Sequence, residues 1–288
     1  MNQEDFRLLN ELREMLVESN VDRYAGLGDR ARMLQLVQDV YEDRTDLPEL
    51  RGVLDLFILG ILLAYRGVKA RDPQLAATLF HSWMQDVPGA PNSRLLERWR
   101  TLVEASHALK STTTSQNVVS TWVAAKAVTL ASAEFLSGLL GFLIICWQVA
   151  NGHPWKPSTL GKTLNEKLDL FEQLTGGEDG AFFVYFRLID RPVRNAIAHS
   201  DLTLDRARAE VILGERINGT RTERRVSLVH FMGLAMVGSH LPHAYLAALS
   251  TIALVEDGNS VESLALPVHL KRTLLTPARP GNTIKPAP

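Results

Sequence analysis

The chain has 288 residues, 46% of them hydrophobic, and its formal net charge at pH 7 is −1. This apolar content supports a full hydrophobic core and argues against a disordered chain, and the length allows one large or two small domains. A nearly neutral chain has no overall attraction for nucleic acid, so an RNA site would have to be a local patch. The single cysteine, Cys146, excludes an intrachain disulfide framework and a Cys-x-x-Cys metal site.

The N-terminal segment, residues 1–115, is predicted to be a helical domain, and nothing in its sequence indicates a role. Its polar, acidic start does not resemble a signal peptide, which predicts a cytoplasmic protein. Apolar residues recur at helical spacing in several segments of this domain. These segments are 5–18, 30–42, 73–85 and 94–109.

The strongly apolar run 53–65 is too short to span a bilayer and carries Asp55, so it is predicted to be a buried helix. The run 110–117 is rich in Ser and Thr and predicts a loop. We place the domain boundary at this loop, between the N-terminal domain and a second helical domain at 120–257.

The segment 127–150 is the most apolar part of the chain, and Glu134 is its one charged residue. Its length satisfies the simple rule for a transmembrane helix, which keeps a membrane span open as an alternative. Ser132, Glu134 and Ser137 interrupt its first half, and no cluster of basic residues marks one flank. A buried central helix is therefore favoured, and a membrane location is not expected. A buried Glu134 would need a partner, for which an arginine near the motif described below is the best candidate.

A further helix is predicted over 159–174, followed by another over 182–189. The stretch Leu160-Gly161-Lys162-Thr163 is similar to the end of a phosphate-binding loop. The first glycine of that loop would fall at Lys156, and no strand precedes it, so we discount a phosphate loop here.

The most informative stretch begins at Asp190 and ends at His199. Asp190 is predicted to be the N-cap of a short helix that has a proline in its first turn. Arg191, Asn195 and His199 recur every four residues and share one face of this helix, opposite an apolar stripe. Arg194 lies on the flank of that face. The next residues break the helical pattern, which predicts His199 in the last turn.

The run Arg194-Asn195-Ala196-Ile197-Ala198-His199 resembles the R-x(4–6)-H motif of HEPN domains, including the polar residue that often follows the arginine. Small apolar residues between the two, a helix end at the histidine and a long apolar helix upstream add to the resemblance. It covers residues 120–257 and implies a HEPN-like bundle of four to five helices, so a mainly all-α fold is expected. The alternative is a surface helix end whose histidine only caps carbonyl groups.

Many HEPN proteins are metal-independent endoribonucleases that dimerise to build one cleft from two motifs. The resemblance therefore implies a ribonuclease of toxin, abortive-infection or phage-defence type, with RNA as its substrate and with neither a metal nor another cofactor. It implies Arg194, Asn195 and His199 as catalytic residues, a homodimer, and a regulatory or antitoxin protein as a further partner. Asp201 occupies the position of a tyrosine that is modified in some HEPN toxins, so control by that modification is not expected.

Two other functions stay open. One is a non-catalytic HEPN-like module that binds RNA, nucleotides or proteins, as some family members do. The other is a helical membrane-associated protein in which the motif occurs by chance.

A small β-hairpin insertion is predicted after the motif, with strands at 209–217 and 222–229 joined by an Asn-Gly turn. Arginines cluster on this hairpin and, with Arg191, are candidates to contact RNA phosphates. The hairpin candidates are Arg216, Arg221, Arg224 and Arg225. Neighbouring glutamates favour the alternative of a solvated, salt-bridged ribbon equally well.

Residues 228–255 are predicted to form a long helix, or a helix pair broken at Pro242. The C-terminal tail at 258–288 contains several prolines, and its part after 266 is predicted to be extended.

Overall fold

The computed structural model describes residues 3–16, 24, 26–42, 48–85, 94–115, 117–179, 182–217 and 220–276. These residues form a mainly α-helical fold with one small antiparallel sheet, which confirms the predicted all-α class. The N-terminal helices match the predicted segments closely. They are α1 (Gln3–Leu16), α2 (Asp29–Glu42), α3 (Pro48–Arg71), α4 (Pro73–Met84) and α5 (Leu95–Thr114).

The predicted loop at 110–117 is wrong, because α5 remains helical to Thr114. The hydroxyl groups of Thr113 and Thr114 donate to the carbonyl of Lys110 within the same helix. A run of Ser and Thr can thus satisfy its polar groups inside a helix as well as in a loop. Asn117 begins the next helix, α6 (Val118–Ala150), by accepting a hydrogen bond from the amide of Ser120 at 3.0 Å.

The helix predicted over 159–174 divides into a 3₁₀ turn (Pro157–Gly161) and α7 (Leu164–Thr175). Thr163 and Glu166 separate the two, because their reciprocal hydrogen bonds form a capping box that starts α7. Two short helices follow, α8 (Phe183–Leu188) and α9 (Arg191–Ala198).

The hairpin prediction is confirmed, and the structure adds a strand that the sequence reading missed. The sheet contains β1 (Leu202–Asp205), β2 (Glu210–Ile217) and β3 (Thr220–Ser227) in that order, all antiparallel. Val211 and Leu213 of β2 are fully buried, and β2 packs against α9. The Asn-Gly turn itself lies outside the described residues.

The last long helix, α10 (Leu228–Glu256), is continuous and contains Pro242. The predicted extended tail is wrong in its first part, since α11 (Val268–Leu275) is helical and buries Leu270. Residues 277–288 lie outside the described part of the chain.

Two helices organise the core. α6 packs on α3, α5, α7 and α9, and α10 packs on α1, α2, α3, α5 and α6. One hydrophobic cluster therefore extends across both predicted segments, while their division at 115–120 stays a prediction. α6 is long and apolar enough to cross a membrane by length and composition, but 89% of its most apolar 18-residue window is buried in this fold. It is the buried central helix that the sequence predicted.

Candidate functional site

Helix α9 carries the motif, and a side chain fixes its N-terminus as predicted. Asp190 Oδ1 accepts a hydrogen bond from the amide of Val193 at 3.0 Å. The other carboxylate oxygen, Oδ2, lies 3.1 Å from Nε2 of His230, at the start of α10. This contact of His230 was not anticipated from the sequence. The contact connects the first turn of α9 to α10, one of the two helices that organise the core.

The C-terminus of α9 is closed by a Schellman motif that places His199 at the end of the helix. The amide of Asp201 donates to the carbonyl of Ala196 at 2.8 Å, and the amide of Ser200 donates to that of Ile197 at 3.1 Å. Ser200 has a left-handed backbone with φ of 58°. The His199 side chain is exposed, and no hydrogen bond or ion pair holds it within the described residues.

The partner predicted for Glu134 is present. Nε of Arg194 donates to the Glu134 carboxylate at 3.0 Å, and Nη2 contacts the same oxygen. Nη1 of Arg194 donates to Oδ1 of Asn195 at 3.1 Å. Arg98 of α5 donates to the backbone carbonyl of Glu134 at 2.8 Å and lies 3.8 Å from its carboxylate. One carboxylate on α6 thus orients two arginines from other helices.

These groups line a cleft of about 370 Å³ between α6, α7 and α9. Its charged or polar lining residues include Arg98, Glu134, Lys162, Lys167, Arg194 and Asn195. Arg98, Lys162 and Lys167 were missed from the sequence. The signal for Lys162 was the Gly-Lys-Thr stretch at 161–163, which forms one wall of the cleft but follows no strand.

Lys167 is the least accessible cation of the cleft, with 2% of its surface exposed. Its Nζ donates to the backbone carbonyl of Ser137 at 2.9 Å. Burial and, to a smaller extent, the positive charge of Arg98 lower the pKa of Lys167 to about 8, against the opposing effect of Glu134. Gly141 allows this approach, since a Cβ there would lie 3.1 Å from Leu160 and 3.4 Å from the Lys167 stem.

Arg191, Arg224 and Arg225, which were predicted to contact RNA, are not among the residues that line this cleft. Arg191 pairs with Asp169 of α7 at 2.9 Å. Arg225 pairs with Glu210 at 3.0 Å and lies 3.7 Å from Asp205, an arrangement typical of a salt-bridged ribbon. Arg224 is exposed. Arg216 and Arg221 lie opposite each other in the β2–β3 register, and their side chains lie outside the described part.

Within the described residues, no three His, Cys, Asp or Glu side chains are grouped closely enough to hold a metal ion. No family model, no curated protein and no solved structure matches this chain. The functional argument therefore depends on the geometry of α9 and of the cleft beside it.

Proposed function

We propose that the chain is a metal-independent endoribonuclease of the HEPN type that acts as a homodimer. The observation that carries this proposal is the Glu134–Arg194 ion pair. It holds a guanidinium in the wall of a cationic cleft, beside Asn195 and on the same short helix as the exposed His199. The proposal uses no metal, as the resemblance to HEPN ribonucleases implies.

RNA supplies its own nucleophile in this reaction. The 2′ oxygen attacks the adjacent phosphorus, a base takes the 2′ proton, and the P–O5′ bond breaks as an acid protonates the leaving oxygen. The products are a 2′,3′-cyclic phosphate and a 5′-hydroxyl. His199 is the residue we assign to proton transfer. Arg194 offers N–H donors to the phosphorane oxygens, and Asn195 orients Arg194 through its side-chain oxygen.

Two acid–base roles favour a site that two copies of the chain share, in which the His199 of one copy acts with the Arg194 of the other. His230 is not available as a second histidine within one chain, because it is bound to Asp190 at the opposite end of α9. At 1.5 Å per residue, that end lies about 13 Å from His199 along the helix.

An exposed face of α6 is the surface we assign to the second copy. Val119 and Val123 are exposed by 58% and 55%, and helical spacing continues this face through Ala127 and Leu130 to Glu134. A dimer through this face would approach the Glu134–Arg194 pair. Changing Val119 and Val123 to Asp should convert a dimer into a monomer in sedimentation analysis and remove cleavage. A monomeric wild-type chain with full activity would contradict this part of the proposal.

The principal test is cleavage of RNA by purified protein in EDTA. His199→Ala and Arg194→Ala should each reduce the rate by about 10²–10⁴, the usual contribution of such groups. Asn195→Ala should cost less, because water can replace part of its orienting role. His240→Ala and Arg7→Ala are matched controls on α10 and α1, and both should keep wild-type activity. Cleavage that needs a metal ion, or full activity in His199→Ala, would refute the proposal.

Mixing the two inactive chains tests the shared cleft. A dimer of one His199→Ala chain and one Arg194→Ala chain retains one intact histidine and one intact arginine. Its activity should exceed that of either parent if two motifs face each other. Activity no higher than that of the parents would argue against a composite site.

A second candidate is a non-catalytic module that binds RNA or nucleotides. The observation in its favour is that Arg194 and Asn195 line the cleft, whereas His199 is not among its lining residues. RNA binding without cleavage by any preparation of the wild-type chain would select it.

The hairpin arginines are proposed to contribute non-specific RNA contacts in either case. Changing Arg221, Arg224 and Arg225 together to Ala should reduce the slope of log affinity against log salt by up to about two units for single strands. An unchanged slope would assign these residues to the salt-bridged ribbon alone.

A further inference from the structure

The cleft between α6, α7 and α9 contains more positive charge than its own carboxylate can balance. Among the described residues, four cationic side chains and the carboxylate of Glu134 line it. One of the four, Lys162, also pairs with Glu166 at 3.9 Å. The arginines are largely withdrawn from water, since Arg98 and Arg194 are exposed by 24% and 27% of their side chains. Withdrawing like charges from water is unfavourable unless an anion compensates them. With both carboxylates counted, the described residues leave two more positive than negative charges around one small space.

Lys167 is the cation of the cleft whose hydrogen-bonding capacity is least used within the described residues. An ammonium group has three N–H donors. The structure gives Nζ one acceptor, the Ser137 carbonyl, and no carboxylate hydrogen-bonds it within the described residues. Its pKa of about 8 reflects burial and the nearby Arg98. An anion in the cleft would supply both the remaining acceptors and the opposite charge.

The N-terminus of α7 does not supply the anion site, although it borders the cleft. Its capping box uses the amides of Thr163 and Glu166, because Thr163 Oγ1 accepts from the Glu166 amide at 3.3 Å and Glu166 accepts from the Thr163 amide at 2.8 Å. The Glu166 carboxylate also places a negative charge at this terminus, so we assign recognition to side chains. The amide group of Asn195 adds a neutral polar contact to the four cations.

We propose that this cleft binds the terminal 5′-phosphate of a nucleotide or of an RNA end. A terminal phosphate carries a charge of about −1.5 to −2 at pH 7, whereas an internal phosphodiester carries one negative charge. The excess of positive charge in the cleft favours the former. The volume of about 370 Å³ lies within the range of small-molecule sites. Leu160 and Leu164 are its apolar lining residues, and none of the described side chains that line it is aromatic, so the phosphate is recognised and the base is not.

This inference goes beyond the proposed function, because it holds whether or not the chain cleaves RNA. In this inference the cleft binds a terminal phosphate, whereas His199 acts on an internal phosphodiester. Substitutions at Lys162 and Lys167 test phosphate binding separately from cleavage, because these residues have no assigned role in bond cleavage.

The test is calorimetric titration of the full His199→Ala chain, which prevents hydrolysis of the probes. The probes are inorganic phosphate, adenosine 5′-monophosphate, guanosine 5′-monophosphate, adenosine, and one RNA oligonucleotide with either a 5′-phosphate or a 5′-hydroxyl. The two monophosphates should bind alike, and adenosine should bind at least about tenfold more weakly, as expected for a contact of about 1.4 kcal/mol or more. If the 5′-phosphate strengthens binding of the oligonucleotide but not of the mononucleotides, the ligand is an RNA end. If the monophosphates bind more tightly than adenosine, the ligand is a free nucleotide. Equal affinity for phosphorylated and unphosphorylated probes of both kinds would overturn the inference.

Substitutions locate the binding in the cleft. Lys162→Ala and Lys167→Met should each weaken phosphate binding by about tenfold or more. Lys156→Ala, an exposed lysine outside the cleft lining, should leave it unchanged. Lys162 lies at the surface, so its substitution keeps the test valid if the Lys167 variant folds poorly. Unchanged affinity in Lys162→Ala and in a folded Lys167→Met would place the phosphate elsewhere and refute the site.

Binding should also depend on pH above 8, because the anion favours the charged form of Lys167. The charged groups that face it are Arg98, Glu134, Lys162 and Arg194, from the other elements around the cleft. Monophosphate affinity should fall as pH rises from 8 to 10, by up to about tenfold per unit, and less so in Lys167→Arg. An identical profile in the two proteins would contradict the role of Lys167.

Failure of RNA cleavage with intact phosphate binding would refute the proposed function and leave this inference standing.

Discussion

Replacing Lys167 with Met should stabilise the protein near neutral pH. Burial, with the charge of Arg98, lowers the Lys167 pKa from 10.5 to about 8. The folded state therefore binds this proton less tightly than the unfolded state, so the charged amine costs stability at every pH below about 8. That cost disappears as pH rises from 8 to 10.5. At about 1.4 kcal/mol per pKa unit, it amounts to about 3 kcal/mol.

Part of this gain is offset by lost contacts. The hydrogen bond from Lys167 to Ser137 contributes about 1 kcal/mol, and a methionine follows nearly the same path as the lysine stem beside Gly141. We therefore expect Lys167→Met to raise the free energy of unfolding by about 2 kcal/mol at pH 7. The gain should shrink towards zero at pH 10.

Urea denaturation at pH 7 and pH 10 measures both values. Lys156→Met, at an exposed position, is the matched control and should change stability little at either pH. The difference between variant and wild type removes the contributions of other groups, such as Cys146, whose pKa is raised by burial. A loss of stability at pH 7, or a difference that does not change with pH, would refute the assignment of Lys167 as a destabilising buried charge.

Three further predictions concern packing and helix ends. Ser200→Gly should raise stability by up to about 1 kcal/mol in thermal unfolding, because glycine adopts the left-handed backbone at φ 58° without strain; a loss would contradict this. Gly60→Ala should lower stability by about 1–3 kcal/mol, since its Cβ would lie 2.6 Å from the buried ring of Tyr185, and an unchanged urea midpoint would be the contrary result. Asp190→Ala should cost about 0.5–2 kcal/mol while Asp190→Asn retains most of the cap, so equal losses in the two variants would disprove the capping role.

Local features could be predicted because their physical causes lie within a few residues of each other. Apolar residues at helical spacing located the N-terminal helices, and the Asp190 carboxylate marked the start of α9. The Asn-Gly turn between alternating strands predicted the hairpin. The prediction of secondary structure failed where a helix and a loop can satisfy the same polar groups equally well. The Ser- and Thr-rich run at the end of α5 was predicted to be a loop, although its hydroxyl groups bond equally well within a helix.

The partner of Glu134 shows how far sequence can reach into tertiary structure. A carboxylate on an apolar helix must be compensated, and that requirement pointed to an arginine near the motif. Arg194 fills this role, but Arg98 also contributes, and no pattern linked α5 to the site. The second partner depends on how α5 packs against α6.

The sequence by itself determined the helical class, the limits of the motif helix and the residue types available for chemistry. The tertiary structure decided that Lys162 and Lys167 join Arg194 around one cleft. The reason is that long-range packing of α6, α7 and α9 sets both the distance between charges and their burial, and burial sets their pKa values. The same packing brings Leu160 and Lys167 against Gly141, which no local pattern in the sequence encodes.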